Sequence, residues 1–106
     1  VSSSETDVVT HSATPGAANR SWAIFAAGHA RDASDTYTYK LYFGTTLLAT
    51  VTGITGAGLD ANINGLSGLQ ENPAVSSHTI KMTAQRTSGS GDSIVDAVIF
   101  FREVEV

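Results

Sequence analysis

Residues 36–43 read Thr-Tyr-Thr-Tyr-Lys-Leu-Tyr-Phe, a strict alternation that sets Tyr37, Tyr39, Leu41 and Phe43 against Thr36, Thr38, Lys40 and Tyr42. Successive side chains on a strand point to opposite faces, so a two-residue period predicts a half-buried strand and excludes the 3.6-residue repeat of a helix. Aromatic and β-branched residues suit that pleat. Gly44-Thr45 forms a tight turn, and 46–52 returns with Leu47, Ala49 and Val51 on one face and Thr46, Leu48, Thr50 and Thr52 on the other. The segment therefore predicts a β-hairpin.

The same period recurs along the chain. At 20–28, Trp22 and Ile24 alternate with Ala23, Phe25 and Ala27, a strand apolar on both faces, followed by a polar loop over 28–35. Residues 78–87 place Ile80, Met82 and Ala84 inward and Thr79, Lys81, Thr83 and Gln85 outward. Across the Ser88-Gly89-Ser90-Gly91-Asp92 turn, 93–106 returns with Val95, Ala97, Ile99 and Phe101 on one face, so the final third predicts a long hairpin. Its other face carries Val98 and Phe100, too apolar for open solvent, and such a face usually marks an interface. Trp22, Phe25, Val98 and Phe100 are expected in the core or at a contact between copies.

Residues 53–73 are glycine-rich, which argues against a helix even though Leu59, Ile63, Leu66 and Leu69 fall near helical spacing. The alternation over 59–64 predicts a short strand and then a loop. Residues 1–19 predict an extended N-terminal arm containing Pro15-Gly16, with 7–10 as an edge strand or a segment ordered by a neighbouring chain. The fold class is all-β: an antiparallel β-sandwich, jelly-roll-like, over 20–106, preceded by that arm.

Composition narrows function by exclusion. Only 15% of the 106 residues are charged, against roughly 25% in an ordinary soluble domain. The six basic residues form no run, so a phosphate-tracking stripe and nucleic-acid binding are not expected. The apolar runs are far shorter than the ~20 residues of a membrane helix. The N-terminal Val1-Ser-Ser-Ser-Glu5 lacks the layout of a signal peptide. The chain has no cysteine, hence no disulfide, thiolate or zinc-thiolate chemistry, which fits assembly in a reducing cytoplasm. On strands, the charges are expected at loops and strand ends, leaving sheet faces built to be covered.

Candidate sites each have a plainer alternative. His11, His29 and His78 supply the possible general bases, yet Gly65-Leu66-Ser67-Gly68 lacks the spacing of a nucleophile elbow, and no catalytic residue is assigned. In 28–35, Asp32 and Asp35 could offer oxygens to Ca²⁺, or His29, Arg31 and Asp32 could meet a partner. Turn capping by the aspartates is the simpler reading, and no metal or cofactor is assigned. The glycines of 53–58 and 88–91 lack a P-loop ending and read as turns. Tyr42, facing away from the other hairpin aromatics, is the candidate for a surface contact or a sugar platform. Val8 and Val9 are the arm's candidate contacts.

Trp22-Ala-Ile-Phe-Ala-Ala-Gly28, Tyr39-Lys-Leu-Tyr-Phe-Gly44 with Thr45-Thr-Leu-Leu-Ala49, and His78-Thr-Ile-Lys-Met-Thr-Ala-Gln85 together resemble small jelly-roll proteins of tailed-bacteriophage virions. That family comprises capsid decoration (cement) proteins and distal tail-fibre domains. The resemblance implies a non-enzymatic homo-oligomer, a trimer ahead of a dimer, that is assembled in the host cytoplasm, resides in the virion and bridges major capsid protein subunits. The alternative is a tail-fibre or receptor-binding module that recognises carbohydrate.

Overall fold

Two antiparallel sheets pack face to face because most strands carry one apolar face and must bury it against another layer. The computed structural model describes residues 3–31, 36–55, 61–89 and 94–105. Among them lie β1 (Thr6–Ala13), β2 (Arg20–Arg31), β3 (Thr36–Phe43), β4 (Thr46–Thr55), β5 (Ala61–Gln70), β6 (His78–Ser88) and β7 (Ile94–Glu105). A four-stranded sheet runs β1-β6-β3-β4 and a three-stranded sheet runs β5-β2-β7. The all-β sandwich is thus the architecture observed.

The β3 alternation holds at every position: Tyr37, Tyr39, Leu41 and Phe43 are buried and the residues between them are half-buried. The β3–β4 hairpin closes through Gly44, whose φ of 59° suits the turn. In β6, Ile80, Met82 and Ala84 face inward as expected, and Thr83 is buried too. The long hairpin expected between 78–87 and 93–106 does not form. β6 pairs with β1 and β3, whereas β7 pairs along its length with β2. As edge-to-edge neighbours, the two strands would place their apolar faces side by side. In separate sheets, those faces oppose each other across the core.

Irregularities in pairing account for the other departures. β5 extends to Gln70, well past the expected short strand, and a register shift falls opposite Ala26 and Gly28. Gly65, at φ 83°, lies in that shift and suits the left-handed backbone there. The extra residue lets Ile63 and Leu66, three apart, both reach the core, while Leu69 turns outward. The near-helical spacing was therefore a strand with a bulge. In β4 a shift inserts Leu48 between residues paired to Leu41 and Tyr42, so Leu48 packs inward and Leu47 is exposed, reversing their expected faces. In β1 the shift between Asp7 and Val9 lets Val8 and Val9 both pack on the core. Of the two alternatives for 7–10, the edge strand is the one observed: β1 pairs with β6 and is longer than expected, running from Thr6 to Ala13. The polar loop expected from Gly28 begins later, because β2 continues to Arg31 against β7. Residues 32–35, 56–60 and 90–93, including Asp32, Asp35, Leu59 and the tip of the last turn, lie outside the described residues.

Trp22 anchors one end of the core. Its ring lies 4.7 Å from Phe101 of β7 and 5.9 Å, edge-on, from Phe43 of β3. Its indole N–H donates to Glu103 Oε1 at 3.0 Å, and the Gly16 amide donates to the same oxygen at 2.9 Å. Hydrogen bonds from Trp22 and Gly16 hold the Glu103 carboxyl below the usual carboxylate range. Toward the other end, Tyr37 and Tyr39 stack at 6.3 Å. The Tyr39 hydroxyl is buried and finds no hydrogen-bond partner among the described residues, and burial beside Tyr37 pushes its phenol up to about 12.

Two substitutions should move stability in opposite directions in urea unfolding. Tyr39→Phe removes an unpartnered buried hydroxyl and should stabilise the fold by about 1 kcal/mol. Gly68→Ala places a Cβ 2.9 Å from Leu48 Cβ across the sandwich, and should cost about 1–3 kcal/mol by forcing the sheets apart. The Glu103 contact has a pH signature. Because its folded-state pKa is lowered, its contribution is complete above the unfolded glutamate value of about 4.3 and is lost as pH falls through the lower folded value. Emission from Trp22, the single tryptophan, should report that acid transition, and Glu103→Gln should abolish it while leaving the neutral-pH fold intact.

Candidate functional site

The two outer faces of the sandwich differ in chemistry. The expectation that charges retreat to loops and strand ends fails on the four-stranded sheet, where Lys40 and Lys81 sit mid-strand. Lys40 Nζ lies 3.5 Å from Glu5 Oε1, and Lys81 Nζ lies 3.5 Å from Asp7 Oδ1. The Tyr42 hydroxyl donates to Glu5 Oε2 at 3.1 Å, with Lys81 Nζ 5.5 Å from the centre of the Tyr42 ring. Gln85 donates to the Ser3 carbonyl at 2.9 Å. These contacts tie the N-terminal segment across the face. Partial burial pushes the Glu5 carboxyl up, but the Tyr42 hydrogen bond and the Lys40 charge outweigh it and hold the group below the usual carboxylate range.

The outer face of the three-stranded sheet is largely apolar, with Asp96 and Arg102 flanking Val98 and Phe100 along β7. Phe25 and Phe100 are direct cross-strand partners with ring centroids 6.0 Å apart, yet remain 45% and 52% exposed. Val98 is exposed opposite Ala27, and Leu69 is exposed opposite Ala23. At one end lies a depression of about 390 Å³ lined by Ser21, Leu69, Glu71, Asn72, Val104 and Glu105. Asn19 and Asn72, both at positive φ, shape this end: the Asn19 amide donates to Asn72 Oδ1 at 3.1 Å, and the Asn72 amide to Ser21 Oγ at 3.4 Å. The depression thus has apolar walls at Leu69 and Val104 and carboxylates at its rim.

The residues singled out from sequence do not converge on one site. Val8 and Val9 are half-buried against their own core rather than projecting toward a partner. Tyr42 is half-buried and engaged by Glu5 and Lys81, so it is no open stacking platform. His29 is half-buried on β2 in register with Asp96 of β7. Arg31 is in register with Ile94, its side chain lying outside the described residues, as does Asp32 altogether. His78 sits with Nε2 2.7 Å from the Ala74 carbonyl and its ring 4.8 Å from Phe43, whereas His11 packs on Phe101. Among the described residues, no three His, Asp or Glu side chains gather in metal-binding range. Sequence reading found Val98 and Phe100 but not Leu69. The missed signal at Leu69 was its odd spacing from Leu66, which places the two leucines on opposite faces.

Exposed ion pairs contribute only about 0.2–1 kcal/mol. Glu5→Gln should therefore raise amide exchange over residues 6–10 by less than about fivefold and leave β2 and β7 exchange unchanged. Comparison with protein-family models, with curated proteins and with solved structures found no match for this chain.

Proposed function

We propose that this chain is a non-enzymatic structural protein of a tailed-bacteriophage virion, a decoration protein that stabilises the head by bridging major capsid subunits. The observation that carries this reading is the contrast between the two outer faces. One is covered by its own N-terminal segment and charged pairs; the other presents Phe25, Phe100, Val98 and Leu69 to solvent. An exposed, contiguous apolar face on a small sandwich is a surface for another chain. Covering each half-exposed side chain contributes of order 1 kcal/mol, and many copies on a lattice add these modest terms into a large resistance to shell disruption. The jelly-roll-like texture of 20–104 and the low charge density support the same role, with the virion as its location.

Cryo-electron microscopy of the source particle tests the reading. Density for the sandwich should lie on the shell with the Phe25–Phe100 face against capsid subunits. Phe25→Ser with Phe100→Ser should leave the isolated fold intact and reduce occupancy on empty heads at least about tenfold. Density at a tail tip would overturn the decoration role and favour the receptor- or carbohydrate-binding alternative.

A further inference from the structure

β7 is an edge strand: it hydrogen-bonds to β2 on one side, and no described strand pairs with its other side. Long edge strands present a row of main-chain donors and acceptors, and proteins blunt them with bulges, prolines or charges. The twelve residues of β7 contain no proline, its register with β2 is unbroken, and its charges, Asp96, Arg102, Glu103 and Glu105, flank an uncharged middle over 97–101. Among the described residues, β1 of the facing sheet lies beside β7, with the His11 ring 5.6 Å from Phe101, and the Gly16 amide meets the Glu103 carboxylate; both are side-chain contacts, and neither is a strand pairing.

The order of residues along β7 is complementary to itself when reversed. Two antiparallel copies match outer face to outer face only if paired residue numbers sum to an even value, because side chains alternate. With Ile99 opposite itself, Val98 faces Phe100 of the second copy, Ala97 faces Phe101, and Asp96 faces Arg102, each contact occurring twice about the dyad. Shifting by two residues in either direction destroys this match. One shift sets Asp96 opposite Phe100; the other sets Arg102 opposite Val98. Opposite charges directly across an antiparallel pair are favourable, and aromatic–β-branched pairs likewise.

We propose that two copies of this chain associate through antiparallel pairing of their β7 edges, centred on Ile99, joining the two three-stranded sheets into one six-stranded sheet. The two apolar outer faces then become one continuous surface, with Phe25, Val98 and Phe100 of each copy on either side of the dyad. This contact is isologous, so it closes as a dimer. It deepens the assembly reading by naming the contact between copies, and it requires no shell to be present.

Charge reversal tests both the contact and its register. Wild-type protein should sediment as a dimer at micromolar concentration. Asp96→Arg and Arg102→Asp should each weaken self-association by about tenfold or more, because each sets like charges opposite one another twice. Mixing the two variants should restore a heterodimer, and the double variant should restore the homodimer. Since the chain contains no cysteine, Val98→Cys mixed with Phe100→Cys should form an intermolecular disulfide on oxidation far faster than either alone. This second measurement reads the register even if Asp96→Arg fails to fold. A wild-type monomer at about 100 µM, or a dimer indifferent to these variants, overturns the pairing. Occupancy on empty heads would still be free to support the decoration role, so the two proposals fail separately.

Discussion

Burial of Trp22 is the constraint on which the rest of the sandwich depends. A large aromatic side chain with one polar atom must be enclosed and must also find a hydrogen-bond acceptor. Phe43 from the opposite sheet and Phe101 from the adjacent strand enclose it, and Glu103 accepts its indole N–H. The same carboxylate receives the Gly16 amide, so one side chain of β7 links the core to the turn between β1 and β2. The glutamate costs little to place there because it stays exposed while its oxygen is occupied.

Given that anchor, the sheets must meet at a fixed spacing, and the chain corrects its phase where simple alternation would fail. The pairing shifts at Val8, Leu48 and Gly65 do this for three different strands. Each brings in an apolar side chain that strict alternation would have left outside. The same corrections leave Leu47 and Leu69 on the surface. Exposed leucines in this fold are thus partly a consequence of core phasing, whereas Phe25 and Phe100 lie in an unbroken register and owe their exposure to the second face of β2 and β7.

The asymmetry between outer faces connects fold to function. On the four-stranded sheet, Lys40, Lys81, Tyr42, Glu5 and Asp7 satisfy one another, so the face is complete within one chain. On the three-stranded sheet, the apolar residues have no such covering among the described residues. Low overall charge allows that face to exist, since few charges remain to interrupt it. Its position beside the β7 edge means that a single neighbouring copy would extend the sheet and enlarge the apolar surface together.

The inner faces of β3 and β6 were legible in the sequence because alternation is a local property: neighbouring side chains on a strand must point opposite ways. An all-β sandwich and the apolar character of both faces of 20–28 and 93–104 follow from the same reasoning, as does the suspicion attached to Val98 and Phe100. Tertiary structure alone decided that β6 and β7 lie in different sheets, because that choice compares packing partners far apart in sequence. It also decided the bulges, since an extra residue shows its purpose only against a partner strand and a core of fixed depth. Where both faces of a strand are apolar, as in β2, local pattern cannot choose the buried one. The choice went to the face bearing Trp22 and Ile24, whose volume the opposing sheet could enclose, and left Phe25 outside.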